Sequence, residues 1–188
     1  MSLWLRTVLL AMLMALPFST KAGEIVPQSI KQQWGPLHLT ANPIYQIVSS
    51  DVIDEAINSG IVLSLIAKLQ SHQSRDFWFD STVEKYQHIY QVRYFSLSGQ
   101  YQLHNTENDE RDSFASLSAL WRHLEQHIQF KLPINQLEKV NYLSAQLKLD
   151  AGALPSAMQL PVFLDSDWRF NSDWFESNLI KPQTAKRP

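Results

Sequence analysis

Residues 85–94 read KYQHIYQVRY, and the fold turns on how this run is understood. Tyr86, His88, Tyr90, Val92 and Tyr94 hold the even positions, while Lys85, Gln87, Gln91 and Arg93 hold odd ones, with Ile89 the apolar exception. A period of two sends alternate side chains to opposite faces, so the run predicts a half-buried β-strand. Ser98-Gly99 supplies turn residues, and Tyr101 and Leu103 then resume the alternation, which makes the unit a hairpin. Rings at every second position share one face and pack well on a pleated surface, so the stripe is read as the inside of a sheet rather than a ligand-binding wall.

The same period recurs on both sides. Leu37, Leu39, Ala41, Tyr45 and Ile47 alternate with polar residues, and Pro43, which cannot donate a ladder hydrogen bond, predicts an edge or a bulge. Ile61, Leu63, Leu65, Ala67 and Leu69 line one face of the clearest strand; Asn141, Leu143, Ala145, Leu147 and Leu149 mark another, broken by Gly152 and Pro155. A shorter strand is expected near Gln159 to Leu164.

Two segments carry helical spacing instead. Ser50 and Asp51 open a short helix with Val52, Ile53, Ala56 and Ile57 on one face and Gly60 at its end. Phe114, Leu117, Leu120, Trp121, Leu124 and Ile128 recur at three- and four-residue steps, as in an amphipathic helix lying on a sheet. The charged run Asn108 to Asp112 between hairpin and helix reads as a solvated loop. These elements predict a β-rich (α+β) fold: an antiparallel β-sandwich-like single domain with two short-to-medium helices inserted between strands. A single helix-covered sheet is the alternative.

The N-terminus reads differently. Arg6 precedes the apolar run Val8 to Leu16, which ends at Pro17 and leads into Ser19-Thr20-Lys21-Ala22. This is the pattern of a signal peptide cleaved after Ala22, with an uncleaved membrane anchor as the alternative. Cleavage leaves 166 of the 188 residues, enough for one domain with a self-sufficient core over residues 23–180, and residues 181–188 read as a disordered polar tail. There is no cysteine, so no disulfide framework or thiol nucleophile exists, and 45% hydrophobic composition must supply the stability. Loss of Arg6 and Lys21 lowers the basic count from 16 to 14 against 18 acidic residues, a net charge of −4. Such a chain lacks the basic field that non-specific nucleic-acid binding needs, and no later stretch reads as a membrane span.

Candidate chemistry is sparse. His123 and His127, four apart on the predicted helix, are the only pair with metal-ligand spacing, and Glu125 does not directly follow the first histidine as a zinc-protease base would. Both lie away from the apolar helix face, so no metal and no cofactor is expected. His88 among tyrosines reads as a core or edge histidine. No nucleophile elbow or phosphate-cradling glycine loop is present, and the carboxylate pairs Asp165/Asp167 and Asp76/Asp80 would support acid/base hydrolysis only if folding placed them in a cleft. Candidate binding residues are aromatic. The adjacent rings of Phe77, Trp78 and Phe79 cannot all face one way in a strand, and Trp168 and Trp174, six apart, either close the core or grip a partner.

From about Trp34 to Trp174 the chain resembles the bacterial family known as domain of unknown function 4390. The matching stretches are SSDVIDEAINSGIVLSL, RDFWFDSTVEKYQHIYQVRYFSLSGQYQL, SFASLSALWRHL and DSDWRFNSDWF. The resemblance implies an exported, periplasmic protein of the Gram-negative envelope with no assigned activity, sometimes encoded beside a membrane sensor kinase; it carries over no catalytic residue. The expected function is accordingly a non-enzymatic module that binds a protein or peptide partner through a sheet edge or exposed rings. A periplasmic hydrolase built on a carboxylate pair or on His123 and His127 is the alternative.

Overall fold

The computed structural model describes residues 23–74 and 80–182. Among the described residues nine strands form two antiparallel sheets. The first contains β1 (Glu24–Trp34), β2 (His38–Val48) and β7 (Phe130–Pro133), in the order β1-β2-β7. The second contains β3 (Leu63–Gln73), β4 (Ser81–Phe95), β5 (Gln100–Asn105), β6 (Glu110–Phe114), β8 (Tyr142–Leu149) and β9 (Phe175–Asn178), in the order β6-β5-β4-β3-β8-β9. Among the described residues three α-helices accompany the sheets: α1 (Asp51–Asn58), α2 (Leu117–His127) and α3 (Ser156–Leu164). The β-rich sandwich expected from the alternation is what the chain forms.

One core lies between the sheets. Leu63, Leu65, Ala67 and Leu69 of β3 pair with Val92, Tyr90, His88 and Tyr86 of β4, which fixes all eight on the inner face. On the other flank of β3, Leu65, Ala67 and Leu69 pair with Leu149, Leu147 and Ala145. The first sheet contributes Leu39, Ala41, Tyr45 and Ile47 from β2 and Phe130 and Leu132 from β7, all buried. Ring contacts join the layers: Tyr45 meets Phe175 edge-on at 5.6 Å between centroids, and His88 stacks on Phe130 at 4.5 Å.

Pro43 sits where its chemistry predicts. β7 pairs with β2 only over His38 to Ala41, so the rest of β2, Pro43 included, has β1 alone beside it. α2 takes up that free flank, where Glu125 Oε1 accepts the Ile47 N–H at 2.7 Å. The first two helices begin on serine caps: Ser50 accepts from the Ile53 N–H and Ser116 from the Ala119 N–H.

Several boundaries differ from expectation. Gln159 to Leu164 belongs to α3 and not to a strand, because an apolar run without periodicity is compatible with either and Pro155-Ser156 starts a helix there. The charged run is only partly loop, since Glu110 to Asp112 pair with Asn105 to Leu103 in β6. Phe114 closes that strand, and α2 starts only at Leu117. β1, β7 and β9 had no counterpart in the sequence reading. No helix among the described residues is long and apolar enough to cross a membrane.

Candidate functional site

The hairpin β5–β6 alternates in both charge and face. Register places Leu103 opposite Val92 and Asp112, and Asn105 opposite Tyr90 and Glu110, so Asn105, Glu110 and Asp112 project to the inner side of the sheet. Inner positions of a sandwich ordinarily hold apolar residues. Here the first sheet is too narrow to cover them, because β7 is only four residues long. The uncovered part of the inner face becomes a groove of about 650 Å³.

Its composition is graded. Tyr86, Tyr90, Leu103 and Leu124 make an apolar and aromatic floor; Glu107, Glu110 and Asp112 supply carboxylates along one wall; His123, His127, Gln129 and Lys131 form the other. Tyr90 is buried, its hydroxyl is pushed up to about 12, chiefly by burial and secondarily by Glu110, and the Gln129 backbone hydrogen-bonds it. A second hollow of about 400 Å³ shares His127 and Gln129 with the first and is lined by Gln33, Asn42 and Gln126 together with Lys31, Gln32 and Ile44. The two hollows therefore adjoin.

The histidines are held individually. His123 Nε2 lies 3.5 Å from Asp112 Oδ2 and its ring packs near Phe114. Partial burial and the neighbouring His127 hold its pKa below the usual imidazole value, against the opposing pull of Asp112 and Glu110. His88 is likewise lowered, first by burial, with Glu107 opposing; its Nδ1 is inaccessible and has no partner among the described residues.

His123 and His127 do not form a chelate. Their rings stack at 3.9 Å between centroids with planes 2° apart, so their in-plane lone pairs run side by side and cannot converge on one ion. His127 Nδ1 also donates to the His123 carbonyl at 2.7 Å. Among the described residues no group of three histidines, cysteines or carboxylates is placed to hold a metal.

The other candidates are scattered. Phe77, Trp78, Phe79 and Asp76 lie outside the described residues. Trp168 is 6% exposed and belongs to the core, whereas Trp174 is 42% exposed, so the two do not make a surface pair. The Asp165 carboxylate accepts the Asp167 N–H at 2.9 Å in a local turn, and Asp80 accepts from the Tyr142 hydroxyl at 2.9 Å. Asp80, Asp165 and Asp167 are not among the residues that line the groove.

Sequence reasoning missed Asn105, Glu107, Glu110, Asp112, Gln129 and Lys131. The signal lay in the alternation itself. Continued past Leu103 and across the Thr106 to Asp109 turn, the inner positions become Asn105, Glu110 and Asp112, a run of polar residues where core residues belong. No curated protein and no solved structure is matched by the chain. A family model does match it, over residues 28–178, and the chain belongs to the family described as Domain of unknown function (DUF4390).

Proposed function

We propose that the protein is an exported, periplasmic binding module of the Gram-negative envelope, without catalytic activity of its own, which holds an extended cationic segment of a partner protein. Export is supported by the Arg6, Val8 to Leu16 and Ala22 pattern. The observation that carries the binding reading is the groove, whose aromatic floor and carboxylate wall run into a carboxamide-lined extension. An extended peptide offers each part a complement: side chains for the floor, lysine or arginine for Glu107, Glu110 and Asp112, and backbone amides for the carboxamides. Charge-assisted contacts to the wall fix orientation and exclude acidic segments.

The test is fluorescence anisotropy with a labelled decapeptide of alternating lysine and leucine. Glu110→Gln combined with Asp112→Asn removes two of the three wall charges without changing shape, and affinity should drop at least about tenfold, since a hydrogen bond to a charged group contributes roughly 1.5–3 kcal/mol. Equal affinity for the double variant, or equal binding of a glutamate-leucine peptide, rejects the reading. The hydrolase reading keeps one specific observation, the Asp112–His123 contact at 3.5 Å beside the groove. Cleavage of the same peptide, abolished by His123→Gln, would favour it.

A further inference from the structure

The hairpin that lines the groove with Glu110 and Asp112 sends Arg111 the other way. The outer face of the six-stranded sheet, where Ile66, Lys68, Gln70, Ile89, Gln146 and Lys148 are half-exposed although Ser64 and Ser144 are buried, continues that sign. Gln87 and Gln146 flank Lys68, Gln70 faces Lys85, Ile66 pairs with both Ile89 and Lys148, and Gln102 faces Arg93. Lys68, Lys85, Arg93, Arg111 and Lys148 thus share one face of a chain whose formal net charge is −2. Of these, only Arg111 is in a salt bridge among the described residues, with Asp109, which also binds His104. Glu176 shares this face, on the rung that runs through Ser144 and Gln70 to Lys85, and Asp80 lies beyond it near His72.

We propose that this outer face docks the domain flat on an anionic phospholipid surface, leaving the inner-face groove turned towards other partners. Three features select that occupant. The cations are spread over strands β6, β4, β3 and β8; Arg93 and Arg111 line a shallow hollow of about 470 Å³ while Lys68, Lys85 and Lys148 lie outside it, so an extended array of phosphates reaches more of them than a single compact anion would, within the screening length of about 8 Å. A duplex nucleic acid is a convex cylinder and would reach only one row. The interleaved carboxamides of Gln70, Gln87, Gln102 and Gln146 add donors and acceptors suited to phosphate and glycerol groups. Segregation of charge on a net-acidic chain also orients the approach, because the groove side is repelled by the surface that attracts this one.

Co-sedimentation with vesicles decides it. The full chain is mixed with phosphatidylcholine vesicles, with vesicles containing phosphatidylglycerol, and with immobilised polyglutamate. Because each cation near an anionic surface contributes roughly a fivefold gain in partition, phosphatidylglycerol should raise binding at least tenfold and 0.5 M salt should reverse the gain. Lys68→Gln, Lys85→Gln and Lys148→Gln together should remove most of the phosphatidylglycerol-dependent gain, while Lys139→Gln, on the segment between β7 and β8, should not; unchanged circular dichroism confirms folding. No gain with phosphatidylglycerol, a gain the triple variant retains, or retention on polyglutamate alone would overturn the proposal, the last in favour of an acidic protein partner. The apolar N-terminal run is common to all variants and cancels from the comparison.

Discussion

Tyr45 illustrates how a single buried atom can work against the fold. The residue is 2% exposed, its ring meets Phe175 edge-on, and its hydroxyl has no partner among the described residues. Burial accordingly raises its pKa well above the ordinary tyrosine range. An unsatisfied buried hydroxyl costs about 1–3 kcal/mol, so Tyr45→Phe, which keeps the ring contact, should stabilise the protein by about 1 kcal/mol in urea unfolding. A loss of stability would mean that the hydroxyl has a partner. The histidines set the pH response. His72, His88 and His123 are all held below the ordinary value of 6.5, in each case chiefly by burial. Such groups bind protons more readily when unfolded, so their stabilising effect is complete above about 6.5 and is lost as pH falls towards the folded values. The urea midpoint should therefore fall between pH 7.5 and 5.5, and His88→Gln should flatten part of that fall. A midpoint that rises on acidification would contradict the burial of these rings.

At the level of elements, legibility followed phase. β3, β4 and β8 keep an apolar residue at most inner positions, with Ile66 and Ile89 among the apolar residues on the outer side of β3 and β4, and their inner faces are readable from spacing alone. β1 was not. Its buried residues Ile25 and Ile30 have opposite parity because a bulge between Pro27 and Ser29 shifts the register, which erases the period in the sequence. β6 hid for another reason: Glu110-Arg111-Asp112 alternates charge sign instead of polarity, and charge runs are usually solvated. β7 and β9 have four residues each, too few for a period to be visible. β9 also depends on a side chain from the other sheet. Gln32 Nε2 donates to the Asn178 carbonyl at 2.8 Å and its Oε1 accepts the Ile180 N–H at 3.0 Å, so one carboxamide imitates a strand along the sheet's edge. Gln32→Ala should speed amide exchange at residues 175–180 by about tenfold or more, with β3 and β8 unaffected. Uniform protection would show that pairing with β8 suffices.

For the whole molecule, the six-stranded sheet is a divider with opposite charge on its two sides near β6. Of the aromatic stripe that dominates the sequence, Tyr90 and Val92 are buried in the core, while Tyr86, His88 and Tyr90 also border the groove, which opens where the narrower sheet stops short. The binding candidates Trp168 and Trp174 do not line it, and the stripe that borders it has the spacing of a sheet interior, so spacing alone passes over it as a binding surface. Phe77 to Phe79 fall outside the described residues, and Trp168 is buried; what defines the groove is polar residues in apolar phase. That signal is weak within any one strand and becomes visible only when register aligns β4, β5 and β6.

The most direct test of the groove as the binding site is amide chemical-shift mapping with the lysine-leucine decapeptide. Perturbations should concentrate at Asn105, Glu107, Glu110, Asp112, His123, His127 and Gln129, and extend to Gln32 and Asn42 as the peptide fills the adjoining hollow. Perturbations centred on Trp174, or on Lys68, Gln87 and Lys148 of the outer face, with the groove residues unmoved, would contradict it.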